Sequence, residues 1–158
     1  SRLLDECEKS VVRELLIIVI LALNTGARKN ELRWLRWTDV DLHKGTLLFR
    51  DTKNESFRSV PMVGRGLKFM REWGKVRLLD TDLVFPGKNP KKPVLFEKSW
   101  RTALKSAGIE DFRFHDLRHS SASYLAMNNV SVRTIAEILG HKTLSMVQRS
   151  YCQKWCLS

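Results

Sequence analysis

His115 and Arg118 stand three residues apart in the stretch His115-Asp116-Leu117-Arg118-His119. The run from Asp116 to Met127 has helical spacing, and positions i and i+3 of a helix share a face. A proton-transfer group would then sit beside a permanent cation. A guanidinium fork matches phosphate oxygens, and an imidazole exchanges a proton near neutral pH. By itself the pentapeptide also reads as a solvated polar helix start, with His115 near the N-cap.

A second cation stands far away in the sequence. Leu15 to Leu21 is apolar all round, which marks a helix in the middle of a core. Thr25-Gly26 breaks it, because glycine adopts positive φ without cost. Ala27-Arg28-Lys29-Asn30-Glu31-Leu32 then opens a new helix, with Arg28 and Glu31 again at i and i+3. An Arg placed straight after a buried helix is held by a rigid scaffold. Taken alone, its pairing with Glu31 is a surface ion pair worth little.

The composition points to a polyanionic partner. Of 158 residues, Lys+Arg number 28 against Asp+Glu 17, a net charge of +11 with a pI near 10.0. Such a balance is the footprint of nucleic-acid binding. The length suits one domain with a proper core, and a 43% apolar share is ordinary for a globular chain. Leu15 to Leu23 is too short to span a bilayer, and no basic amphipathic helix with a clean apolar side stands out for a membrane face. Cys7, Cys152 and Cys156 are scattered and contain no CxxC, which argues against a disulfide framework or a zinc site and fits a reducing cytoplasm.

The elements that must position these groups follow in order. Ser1 to Glu8 reads as a helix start capped by Ser1, and Ser10 as the cap of a second helix running to about Asn24. Trp34, Leu35 and Trp37 pack the junction after Arg28. Lys44-Gly45 is a turn; Thr46 to Arg50 and Ser56 to Val60 are paired strands, the second ended by Pro61. Their connecting loop lifts Lys53 to the hairpin tip. Helical spacing returns at Val63 to Trp73. Pro86 to Pro93 is a loop carrying Lys88, Lys91 and Lys92, either mobile or laid against a polyanion. Phe96 to Ala107 is helical, stopped by Gly108, with Lys98, Arg101 and Lys105 on one face. The His115 helix buries Leu117, Ala122, Tyr124, Leu125 and Met127 and ends at Asn128-Asn129. Ser131 caps the next helix; Gly140 stops it and His141 follows. A last helix opens at Thr143 or Ser145 and runs to Tyr151.

Assembled, the chain resembles the catalytic domain of the tyrosine recombinase (phage integrase) family. The resemblance rests on Thr25-Gly26-Ala27-Arg28 with Glu31-Leu32, on Leu35-Arg36-Trp37-Thr38-Asp39-Val40, on Thr52-Lys53, on His115-Asp116-Leu117-Arg118-His119, on Leu139-Gly140-His141, and on a Tyr in the terminal helix. Each motif alone is weak; their order and separation carry the signal. It implies a mainly α domain with a small antiparallel β-sheet over residues 1–158, without the N-terminal core-binding domain that clamps the other side of DNA. It implies site-specific cleavage and rejoining of double-stranded DNA, in phage or mobile-element integration and recombination. The reaction runs through a 3′-phosphotyrosine and needs no cofactor and no metal. Partner protomers would form a tetramer on DNA, in the bacterial cytoplasm at the nucleoid.

By the same resemblance, Arg28 and Arg118 clamp the non-bridging oxygens and Glu31 holds Arg28. His115 handles the phenol proton, Lys53 protonates the leaving 5′-oxygen, His141 donates to the phosphate, and Tyr151 is the nucleophile. Lys88, Lys91 and Lys92 join Arg28, Lys53, Arg118 and His141 as DNA contacts. The family's usual nucleophile slot falls on Ser150, one residue before Tyr151 and so about 100° away around a helix. Only seven residues follow Tyr151, where relatives often carry a longer segment that docks on a neighbour. A second possibility therefore stays open, an impaired remnant that only binds DNA. A third, a metal hydrolase built on His115 and His119 at i and i+4, is disfavoured because Arg118 repels a cation and no HExxH glutamate is present. His119 is expected to be a structural histidine hydrogen-bonded within the bundle.

Overall fold

The computed structural model describes residues 1–51 and 56–140. Lys53, His141, Ser150, Tyr151 and the expected last helix lie outside the described residues.

The order of elements is α1 (Arg2–Glu8), α2 (Leu15–Thr25), α3 (Lys29–Arg33), β1 (Val40–Asp41), β2 (Thr46–Asp51), β3 (Ser56–Pro61), α4 (Arg65–Gly74), α5 (Glu97–Ala107), α6 (Asp116–Met127) and α7 (Val132–Ile138). The architecture is mainly α with a three-stranded antiparallel sheet in the order β1-β2-β3. α2 is the axis of the core. Leu15, Ile18, Val19 and Leu21 are fully buried, and α6, α1 and α4 pack around it. Burying each such side chain contributes about 1.5–3 kcal/mol before the ordering cost of the chain is set against it. No helix among the described residues is long and apolar enough to cross a membrane.

Several boundaries differ from the sequence expectation, each for a local reason. α2 begins at Leu15, not after Ser10, because the Ser10 hydroxyl accepts the Val12 N–H at 3.1 Å and closes a separate turn. Ser1 occupies the cap position of α1, but its side chain makes no capping bond. Trp34 does not pack the junction: it is half exposed, while Leu35 and Trp37 are buried. Met127, expected on the buried side of α6, is exposed at the end of the helix. The two-residue strand β1 was not expected at all; it forms by pairing Val40 with Leu47 and Asp41 with Thr46.

The Pro86–Pro93 loop is tightly built. The Gly87 N–H donates to the Lys92 carbonyl at 2.8 Å, Lys92 to that of Asn89 at 2.9 Å, and Pro86 pairs with Pro93 as an antiparallel bridge. Behind it Leu83, Val84 and Phe85 are buried.

Candidate active site

Gly26 sets the geometry of the first cation. It ends α2 with φ of 63°, and its N–H returns to the Ala22 carbonyl. The chain turns there and presents Arg28, extended at φ −73° and ψ 153°, as the N-cap of α3. An arginine has no acceptor to offer the helix, so only half of a capping box can form. Glu31 supplies that half: its Oε2 takes the Arg28 N–H at 2.7 Å. The two side chains also approach, with Arg28 Nη1 3.8 Å from Glu31 Oε1.

Arg118 arrives from α6. Its Nη1 donates to the carbonyl of Gly26 and its Nη2 to the carbonyl of Leu139. One guanidinium thus joins the break after α2 to the residue that follows α7. Burial pushes its pKa down to about 10, and Arg58 and Arg28 push the same way while Glu31 opposes them. At neutral pH Arg118 still keeps its charge. Gly26 must be glycine here for a second reason: an added Cβ would overlap Leu139 Cδ2 and lie 2.9 Å from Ser121 Oγ.

Arg28 and Arg118 line one cleft of about 500 Å³ between β3 and α7, together with Phe49, Arg58, Glu137 and Gly140. Three guanidiniums stand against two carboxylates, the partly buried Glu31 and the exposed Glu137 of the lining, so the cleft keeps a net positive charge. The sequence reading missed Arg58. Its Nη1 and Nη2 donate to the two oxygens of Glu31 at 3.3 and 3.0 Å, and its guanidinium lies over the Phe49 ring at 5.1 Å. The signal was there in the alternation of β3. Arg58 shares a face with the fully buried Val60, and a buried arginine needs an acid.

Other expected residues are not brought to this cleft. His115 is exposed at the head of α6, outside the cleft lining, with its ring edge-on to His119 at 6.0 Å. His119 is therefore not a bundle histidine: it sits on the surface beside its neighbour one turn away. Lys88 and Lys92 line a different groove of about 830 Å³, between the Pro86–Pro93 loop and Trp37, Trp73 and Val84. Lys91 is exposed on the same loop, and Lys98, Arg101 and Lys105 are exposed on α5.

Residues 1–155 match the phage integrase family. The chain belongs to that family. Its relatives include the shufflon-specific DNA recombinase of Escherichia coli, 33% identical over 145 residues covering 90% of this chain and 36% of that protein. The integrase of Salmonella phage P22 is 32% identical over 161 residues, 94% of this chain and 41% of its own length. Among solved structures, the catalytic domain of bacteriophage HP1 integrase superposes with a TM-score of 0.69 at 30% identity, covering 95% of this chain and 81% of that one. A XerA recombinase superposes with a TM-score of 0.78 at 27% identity, covering 98% and 57%. This integrase-family chain thus spans about a third to a half of the curated relatives it matches, and its fold is that of a tyrosine recombinase catalytic domain.

Proposed function

We propose that this chain is the catalytic domain of a site-specific DNA recombinase that cleaves and rejoins strands through a phosphotyrosine. The observation that carries the reading is the convergence of Arg28 and Arg118, 90 positions apart in sequence, on one cationic cleft of phosphate-binding chemistry. Family membership and the DNA-recombining relatives support it.

In this mechanism the scissile phosphate lies in the cleft with its non-bridging oxygens toward Arg28 and Arg118. The phenol oxygen of Tyr151 attacks phosphorus and its proton passes to His115, which would have to come in from the exposed head of α6, outside the cleft lining. The new O–P bond forms as the bond to the deoxyribose 5′-oxygen breaks, and Lys53 delivers a proton to that oxygen. His141 donates to a non-bridging oxygen. A phenol has a pKa near 10 in water, so it needs both a base and a positive field to attack at neutral pH. Negative charge builds on the phosphoryl oxygens in the transition state, where fixed cations act most strongly. Reversal by the 5′-hydroxyl of a partner strand reseals the DNA. Strand exchange between duplexes needs further copies of the protein, one at each cleavage site. Lys88, Lys91 and Lys92 add backbone contacts that raise affinity without reading sequence.

A duplex nicked just beyond the cleavage site tests the proposal, because the short product diffuses away and traps the intermediate. A covalent protein–DNA adduct that disappears in Tyr151→Phe is the expected result. Bound DNA with no adduct would leave only a DNA-binding remnant.

A further inference from the structure

We infer that Arg58 is a positioning residue for strand cleavage: it locks the Glu31 carboxylate, and through it sets where Arg28 stands in the phosphate cleft. The inference rests on the cleavage reading above and adds a part to it.

Arg58 has the build of a positioning group. Its side chain is 19% exposed, and that of Glu31 12%, whereas Arg28 is 54% exposed. The two inner partners are therefore fixed and the outer one is free to meet a ligand. β3 pairs Arg58 with Phe49 of β2, so the guanidinium rests on an aromatic face inside the sheet. From there its two terminal nitrogens grip both oxygens of Glu31, a bidentate geometry that a lysine cannot copy. Arg58 Nε is buried with no partner among the described residues, so Glu31 is the acceptor that holds this side chain.

The carboxylate so held has a second task. Its Oε2 takes both the Arg58 Nη2–H at 3.0 Å and the Arg28 backbone N–H at 2.7 Å. The same oxygen thus ties the core face of β3 to the N-cap of α3. Without Arg58, Glu31 keeps only an exposed arginine, and the entry to α3 loses its anchor in the sheet. Arg58 also adds to the positive field at Arg118, and Glu31 opposes it.

The test uses wild type, Arg58→Met, Arg58→Lys, Glu31→Gln and the Arg58→Met/Glu31→Gln double variant, each confirmed folded by its melting curve. Methionine keeps the stem over Phe49. With the nicked duplex under single-turnover conditions, Arg58→Met should slow adduct formation at saturating protein by roughly 10–100-fold, the size found when a group that orients a contact residue is lost. The concentration for half-saturation should move less than about 3-fold, since both terminal nitrogens of Arg58 are taken up by Glu31. Arg58→Lys should recover only part of the rate. The double variant should be no slower than the slower single one, because the pair acts as a unit. A wild-type rate in folded Arg58→Met, a change in half-saturation alone, or additive losses in the double variant each overturn the inference. Hydrogen exchange at the Arg28 amide needs no cleavage. Its protection should drop about 10-fold or more in Arg58→Met, and unchanged protection overturns the inference. If wild type forms no adduct, the cleavage reading fails, and this amide measurement still decides whether Arg58 anchors Arg28.

Discussion

Two groups of cations on this chain differ in what holds them. In the cleft, Arg118 is gripped by two backbone carbonyls and Arg58 by both oxygens of Glu31. On the Pro86–Pro93 loop, Lys88, Lys91 and Lys92 are exposed on a well-bonded backbone, with no such grip on their ammonium groups among the described residues. In the proposed reaction both regions would draw DNA, but only the first could aim charge at one phosphorus without reorganising at the moment of reaction. Net charge counts the two regions alike, and catalysis does not.

The largest effect should follow from Arg118→Ala. Adduct formation should fall by about 10² to 10³ or more, as when a transition-state donor is removed. Stability should fall by about 1.5–3 kcal/mol, because the Gly26 and Leu139 carbonyls lose a charged donor. Single-turnover assay and denaturant titration measure the two losses separately. Arg118→Lys should rescue neither fully, and full rescue would erase the contrast between aimed and diffuse charge.

Next comes Gly26→Ala. Its φ of +63° and the overlap with Leu139 should cost about 1–3 kcal/mol. The melting temperature should drop about 2–4 °C per kcal/mol for a chain of this size. A neutral substitution would mean that the α2–α3 corner is softer than its packing implies.

Replacing Lys88, Lys91 and Lys92 together by Ala sharpens the comparison from the other side. DNA affinity should weaken for all sequences alike. The slope of log affinity against log salt should fall by up to about 2.7, at about 0.9 per phosphate contact. The cleavage rate at saturation should stay put. A fall in that rate would place the loop at the reaction centre.

A smaller effect concerns pH. Burial pushes the Arg118 pKa down to about 10, below the ordinary guanidinium range. Below pH 10 both folded and unfolded chains hold this proton, so stability does not change with pH on its account. Above about pH 10, until the unfolded guanidinium also titrates, the unfolded chain binds more protons, and the Arg118 contribution should rise with pH. Comparing the alkaline limbs of wild type and Arg118→Met isolates it. The smallest effect should come from Lys75→Ala, which removes the exposed Lys75–Glu72 pair and should shift stability by no more than about 0.5 kcal/mol.

Much of this arrangement could be read in the residues themselves. The apolar run of α2 predicts a buried helix, Gly26 its end and Ser131 the cap of α7, where the hydroxyl does accept the Thr134 N–H at 3.2 Å. These are local signals, carried by side-chain period and backbone preference. The pairing of Arg28 with Glu31 was visible as an i and i+3 spacing. Its tie to Arg58 was not, because that depends on β3 coming back beside α3, a tertiary event. The exposure of Trp34 and Met127 escaped for the same reason: period gives a face, but only the neighbours decide whether that face is covered. His115 shows the limit on the site itself. Its spacing to Arg118 places both on one helix, yet the guanidinium reaches inward to Gly26 and Leu139 while the imidazole stays outside.

The double grip of Arg118 bears on how the chain acquires its chemistry. The acceptors lie 92 residues upstream and 21 downstream of it. Local helices can nucleate quickly, but loops of that length close late. The double grip therefore exists only once α6 has docked on α2 and the chain has come round to Leu139. A chain whose last residues are still on the ribosome, or one partly unfolded by heat, carries Arg28, Arg58 and Arg118 and has not yet brought them together.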